Sequence, residues 1–235
     1  MTVWSAADAR FSPMLTVARR LGELRDRVLF LGGAVVPLLI TDPGATSARP
    51  TKDIDVVIEI TTRVDYYKLG DHLRTLGFSE DASDAPLCRW IVEGLTVDIM
   101  PIDEKVLGYT NPWFRAAMSD AVTFSFTDGQ ILNVISPPYF CATKLVAFTS
   151  RGKGDYIMSH DMEDILAVVD GREELLLELS AAEPTVRAYV ASKLHSFLAS
   201  PDFLDALPGH LPGDAASQGR LPLLQDRLER ISHLS

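Results

Sequence analysis

Cysteine and long apolar runs are scarce in this chain. Its two cysteines, Cys88 and Cys141, stand far apart without CxxC spacing, so neither a disulfide framework nor a zinc site is indicated. Both are expected to be reduced and partly buried. No apolar stretch approaches the length of a membrane-spanning helix. The opening Met1-Thr2-Val3-Trp4-Ser5-Ala6-Ala7-Asp8 has no basic segment followed by an apolar one. The expectation is a cytoplasmic protein with no membrane partner. Basic residues are outnumbered, 22 Lys and Arg against 32 Asp and Glu, for a net charge of −10. That balance disfavours a broad electrostatic grip on nucleic acid, although it leaves room for a local basic groove. No internal repeat is present. His72, His160, His195, His210 and His233 lack metal-ligand spacing and read as surface or interface residues. What remains is a globular composition, 47% hydrophobic over 235 residues, enough to build a substantial core.

Periodicity and turn residues outline the organisation. Ser12-Pro13 reads as an N-cap with proline at the first helical position, opening an amphipathic helix to about Asp26. Val28 to Leu31 is a short apolar strand that ends at Gly32-Gly33, with a helix expected from Val35 to Ile40. The stretch 41–50 is rich in turn formers and reads as a loop leading to a strand from Asp53 to Ile60. A helix is expected over Asp65 to Leu76, stopped by Gly77. Two hairpins follow, Leu87 to Val92 with Leu95 to Met100 around Glu93-Gly94, and Thr123 to Phe126 with Gln130 to Ile135 around Asp128-Gly129. Beyond Pro138 the pattern is helical, over 139–150, 161–169, 173–179, 185–198 and 222–231. The expected fold class is α/β, in the α+β sense: a core of mixed β-sheet with flanking helices over 1–136, and a helical C-terminal region over 137–235 packing against it.

Three acids occupy positions where burial is costly. Asp53 and Asp55 open an otherwise apolar strand, and strand alternation puts them on one side about 7 Å apart, close enough to share metal ions. Asp98, between Val97 and Ile99, repeats the oddity in a second apolar strand. Three convergent carboxylates supply the hard oxygens that a pair of Mg²⁺ ions roughly 3.5–4 Å apart needs, and Mn²⁺ would also suit them. Gly32-Gly33 serves equally as a tight turn or as a place where backbone approaches a triphosphate, with a following helix offering its free N–H groups. Lys52 adds charge beside the acids or is simply solvated. Lys144 and Arg151, seven residues apart, share a helix face and read either as a phosphate clamp or as a solvated basic edge. Ser159 is a plausible N-cap that accounts for Asp161 and Asp164 as first-turn acids. Asn111-Pro112-Trp113-Phe114 has rings that can stack a base, but packing is the preferred reading. Neither cysteine has a base partner discernible in sequence, which argues against a thiol nucleophile.

The order of glycine turn, helix, Asp53-Ile54-Asp55 strand and later single-acid strand at Asp98 resembles the nucleotidyltransferase superfamily with a polymerase-beta-type catalytic core. Within it, Ala142-Thr143-Lys144-Leu145-Val146-Ala147-Phe148 leading to Arg151, then Ser159-His160-Asp161-Met162-Glu163-Asp164-Ile165, resembles the AbiEii-like group, some members of which are toxins of toxin–antitoxin systems. The resemblance covers roughly residues 28–170. It implies a nucleotidyltransferase core in which Gly32 and Gly33 hold the nucleotide phosphates and Asp53 and Asp55 ligate two Mg²⁺ ions. Asp98 would ligate one of these ions and help activate an acceptor hydroxyl. Lys144 would approach the triphosphate with Arg151 near it, and Asp161 matches an acidic position of less defined role. The co-substrate would be a nucleoside triphosphate such as ATP, and the products a nucleotide-modified acceptor and pyrophosphate. A tRNA acceptor and a cognate antitoxin suit the toxin-like resemblance; a small-molecule or protein acceptor suits the acidic charge. A non-catalytic nucleotide-binding regulatory module is the alternative from another class. Two departures stand out: Ala34, where the superfamily often has Ser or Thr, and the long connection from Gly33 to Asp53, which suggests a lid or acceptor-facing loop.

Overall fold

The computed structural model describes residues 3–51, 53–81, 86–152 and 154–235. In chain order the elements are β1 (Val3–Trp4), α1 (Ser12–Leu21), β2 (Val28–Leu31), α2 (Val36–Leu39), β3 (Asp53–Ile58), α3 (Arg63–Thr75), β4 (Ser79–Glu80), β5 (Arg89–Val92), β6 (Leu95–Pro101), α4 (Glu104–Leu107), α5 (Phe114–Ser119), β7 (Val122–Phe126) and β8 (Ile131–Val134). Helices follow: α6 (Pro137–Arg151), α7 (His160–Gly171), α8 (Leu175–Ala181), α9 (Pro184–Leu198), α10 (Pro201–Ala206), α11 (Ala215–Gln218) and α12 (Leu221–Ser232). The chain divides into two compact units, Met1–Val35 with Arg49–Ser136, and Val36–Ala48 with Pro137–Ser235. The segment 36–48, expected within the core, therefore groups with the helices.

The first unit is built on a mixed sheet, eight-stranded among the described residues, in the order β1-β7-β8-β2-β3-β6-β5-β4. β3 runs antiparallel to β2 and parallel to β6, while β5–β6 and β7–β8 are antiparallel pairs. The β5–β6 turn is set by two adjacent residues with positive φ, Glu93 at 49° and Gly94 at 75°, which suits a tight two-residue hairpin. Alternation then sorts the faces. Ile54 and Val56 pair laterally with Val97 and Ile99, and all four are buried. Trp90, opposite Val97, lies on that same face, and α3 packs there, with Gly70 against the indole and the Tyr66 hydroxyl donating to the Ile99 carbonyl at 2.9 Å. The opposite face, bearing Asp53, Asp55, Thr96 and Asp98, is exposed or half-buried at these positions.

Several boundaries differ from the sequence reading. Helix α1 ends at Leu21 rather than near Asp26, because Gly22 takes φ of 56° and the chain continues as a 3₁₀ turn over Gly22–Arg27. Its N-cap is Phe11 with no side-chain cap bond, so Ser12 does not cap it. The helix expected from Val35 to Ile40 is a 3₁₀ turn, Gly33–Val35, followed by only four residues of α2. β3 stops at Ile58, two residues early.

In the second unit, Phe148, Tyr156, Phe197 and Phe203 form an aromatic cluster with ring centroids 5.3 to 5.6 Å apart. The segment 36–48 is tied to these helices. The amides of Thr41 and Asp42 donate to the Gly171 carbonyl at 2.8 and 2.9 Å, and Thr41 Oγ1 donates to Glu174 at 2.8 Å. Arg220 bridges Asp42 at 2.7 Å and the buried Asp170 at 2.9 Å. The connection from Gly33 to Asp53, expected to form a lid or an acceptor-facing loop, is moored to the helices of this unit over residues 41–45. Among the described residues, no helix is long and apolar enough to cross a membrane.

Candidate functional site

β3 and β6 bring the acids together. Their register pairs Asp55 directly with Asp98, so the two side chains leave one face on strands about 4.8 Å apart. Asp53, two residues before Asp55, is exposed on that face, opposite Thr96. The row extends in both directions, since Leu31 on β2 pairs with Asp55 and Arg89 on β5 pairs with Asp98.

Arg89 was not singled out by the sequence, although the hairpin carries the signal. With Glu93-Gly94 as the loop, counting outward from Val92 opposite Leu95 places Arg89 opposite Asp98. The guanidinium forks onto the carboxylate, Nε to Oδ1 and Nη2 to Oδ2, both at 2.8 Å. These hydrogen bonds raise Arg89 above its ordinary pKa, and the charge of Asp53 adds to the effect.

Gly32 and Asp55 are also in close contact. Gly32 has φ of 74°, and a Cβ there would fall 1.9 Å from Asp55 Oδ2. Gly33, by contrast, opens the short 3₁₀ turn and is buried. That turn and the four-residue α2 together lack the aligned peptide dipoles of a long helix, so the expected helix-dipole contribution to phosphate binding is weak here.

The donor set at Asp53 and Asp55 is hard oxygen and fits Mg²⁺ or Mn²⁺. Both Asp98 oxygens accept from the Arg89 guanidinium, so a metal ion reaching Asp98 shares its carboxylate with that fork unless Arg89 moves away. Among the described residues, no group of three or more His, Cys, Asp or Glu side chains is arranged to hold a metal ion. The expected trio is thus a row whose third member is paired to a cation. Lys52 lies outside the described residues.

Lys144 and Arg151 belong to the second unit and do share a helix face, but they converge on a carboxylate. Lys144 Nζ lies 3.0 Å from Asp161 Oδ1 and 2.6 Å from Asp164 Oδ2, and Arg151 forks onto Asp161 at 2.8 and 2.9 Å. Burial pulls the Lys144 pKa down, yet Asp164 and Asp161 outweigh it and leave the ammonium above its usual range. Asp161 is affected in the same two ways: burial raises its pKa, but Arg151 and Lys144 hold it below the usual carboxylate value. The Ser159 hydroxyl caps α7 as expected, accepting from the Met162 amide. The helix dipole alone does not account for Asp161 and Asp164, because both are buried partners of Lys144.

The remaining candidates have structural roles. Phe114 is in the core. His210 contacts the Tyr156 carbonyl at 2.6 Å and His160 pairs with Glu163 at 3.1 Å. Both cysteines are free and buried, and burial pushes the Cys141 thiol up to about 12. A cavity of about 480 Å³, floored by Leu24, Ile58, Ile60 and Leu69, lies at the far end of β3 from Asp53. The sequence matches no protein-family model and no curated protein.

Proposed function

We propose that the protein is a metal-dependent nucleotidyltransferase, moving a nucleoside monophosphate from a nucleoside triphosphate to an acceptor hydroxyl with release of pyrophosphate. One observation carries this reading: Asp53, Asp55 and Asp98 share a face of neighbouring parallel strands, with Asp55 packed against the turn at Gly32. Three carboxylates converging on one face of neighbouring apolar strands supply the hard oxygens that a divalent ion takes. Asp53 and Asp55 would hold the divalent ion. That ion, Mg²⁺ or Mn²⁺, supplies charge neutralisation on the polyphosphate and alignment of the attacking and leaving oxygens. Asp98, on the next strand, would orient the acceptor hydroxyl and receive its proton once its carboxylate is free of Arg89. The resemblance to AbiEii-like nucleotidyltransferases adds tRNA as acceptor and a cognate antitoxin as partner; the net charge of −10 favours a small-molecule or protein acceptor instead.

A second reading has one specific observation in its favour. The fork between Arg89 and Asp98 leaves a pre-formed ion pair where catalysis needs a free carboxylate, as suits a nucleotide-binding regulatory module without turnover. Incubation with α-phosphate-labelled nucleoside triphosphates, Mg²⁺ and separate RNA, protein and metabolite acceptor pools separates the two. Labelled acceptor, lost in Asp53→Ala and Asp55→Ala, supports transfer; nucleotide binding with no labelled product in any pool supports the regulatory module.

A further inference from the structure

We propose that Arg89 is a polyphosphate-binding residue that rests on Asp98 until the ligand arrives, an assignment that builds on the nucleotidyl-transfer reading of this face. Position gives the first argument. Arg89 and Asp98 are opposed on β5 and β6, and Asp98 is opposed to Asp55 on β3, so guanidinium and carboxylates rise from one face in one row. The Arg89 side chain is 30% exposed against 15% for Asp98, so the cation is the more accessible partner.

Charge gives the second argument. Asp53, Asp55 and Asp98 make this face acidic, and a divalent ion at Asp53 and Asp55 offsets that charge with the Arg89 fork still in place. A triphosphate brings further anionic oxygens that need a cation, and a guanidinium matches phosphate with the same two-pronged geometry it uses on a carboxylate. Because the pair is partly exposed, its net strength is modest and the exchange of one anion for another is close to balanced. Transfer of the fork to phosphate leaves Asp98 beside Asp55 with both oxygens available.

The ordinary alternative is that the pair only pins the β5–β6 hairpin. Calorimetric titration of inorganic tripolyphosphate into the 235-residue chain, with Mg²⁺ present in cell and syringe, distinguishes the two. Asp98→Asn removes Arg89's anchor at almost constant shape and should tighten binding; adding Arg89→Met should then cost about tenfold, the value of a charge-assisted hydrogen-bond pair. The same Arg89→Met change in the wild-type background should cost less, because there the guanidinium must first leave Asp98. Equal affinity for Asp98→Asn with and without Arg89→Met would overturn the assignment. Manganese titration followed by electron paramagnetic resonance is the independent readout on Arg89→Met alone: uncovering Asp98 tightens Mn²⁺ binding, and unchanged affinity contradicts the proposal. Nucleotidyl transfer without any dependence of tripolyphosphate binding on Arg89 would remove this assignment alone. Arg89-dependent binding without transfer would remove the catalytic reading alone.

Discussion

The carboxylate of Asp55 fills the space that a side chain at Gly32 would need, with Oδ2 1.9 Å from the position of a Cβ on that residue. Gly32 also holds φ of 74°, in the region that glycine enters without steric cost. Two independent constraints thus select glycine at this position, and one of them is the seating of a candidate metal ligand. The glycine turn is needed to place Asp55, whatever it also does for a phosphate.

Gly32→Ala should therefore destabilise the protein by roughly 2–4 kcal/mol, from backbone strain together with displacement of Asp55. Urea denaturation of Gly32→Ala, Asp55→Ala and the double variant provides the check. Asp55→Ala removes the two closest clashing atoms, so the double variant should lose less stability than the sum of the singles. Additive losses would mean that the two residues do not contend for the same space.

Lys144 is predicted to matter for stability more than for nucleotide affinity. Lys144→Met leaves the buried Asp161 and Asp164 without their shared ammonium and should cost about 3–5 kcal/mol, read as a fall in thermal midpoint. A variant of wild-type stability with weakened nucleotide binding would instead make Lys144 a phosphate ligand. The pH dependence follows from the directions of the two shifts. Asp161 is depressed in the fold, so its contribution is complete above the ordinary value of 3.8 and is lost as pH falls below that through the native value. Lys144 is raised, so its contribution is complete below 10.5 and is lost as pH climbs past that value. Stability profiles of Lys144→Met should be flatter than wild type at both extremes.

The moored segment 41–45 provides a prediction about local order. Arg220→Met strips Asp42 and the buried Asp170 of their common partner, at a cost of roughly 2–4 kcal/mol. Hydrogen exchange reports it directly. The Thr41 and Asp42 amides, both bonded to the Gly171 carbonyl, should be protected in the wild type and exposed in the variant. Fast exchange of these two amides in the wild type would restore the picture of a free lid or acceptor-facing loop.

Much of the sheet was legible because its signals are local. Asp53 to Val56 alternates acidic and apolar residues ahead of Val57 and Ile58, Glu93-Gly94 and Asp128-Gly129 mark their hairpins, and Ser159 marks the start of α7. Asp53, Asp55 and Asp98 were found together because acids in apolar strands are conspicuous whatever the register. The two-residue strands β1 and β4 leave no such signal, since two residues carry no periodicity. The early end of α1 is hidden in the sequence because Leu24 stays buried through the 3₁₀ turn and so extends the apolar pattern past Gly22. Arg89 was within reach, given by hairpin arithmetic once Glu93-Gly94 is taken as the loop. The partners of Lys144 were not, because pairing α6 with α7 depends on tertiary packing that no short spacing encodes.

The most direct measurement is transfer of label from an α-phosphate-labelled nucleoside triphosphate to acceptor, with and without divalent metal, for wild type, Asp53→Asn and Asp55→Asn. A metal-dependent nucleotidyltransferase centred on these acids predicts labelled acceptor and released pyrophosphate from the wild type with Mg²⁺, and a loss of at least about a hundredfold in either variant. Equal labelling by all three proteins, or labelling that persists after chelation of the metal, would contradict it.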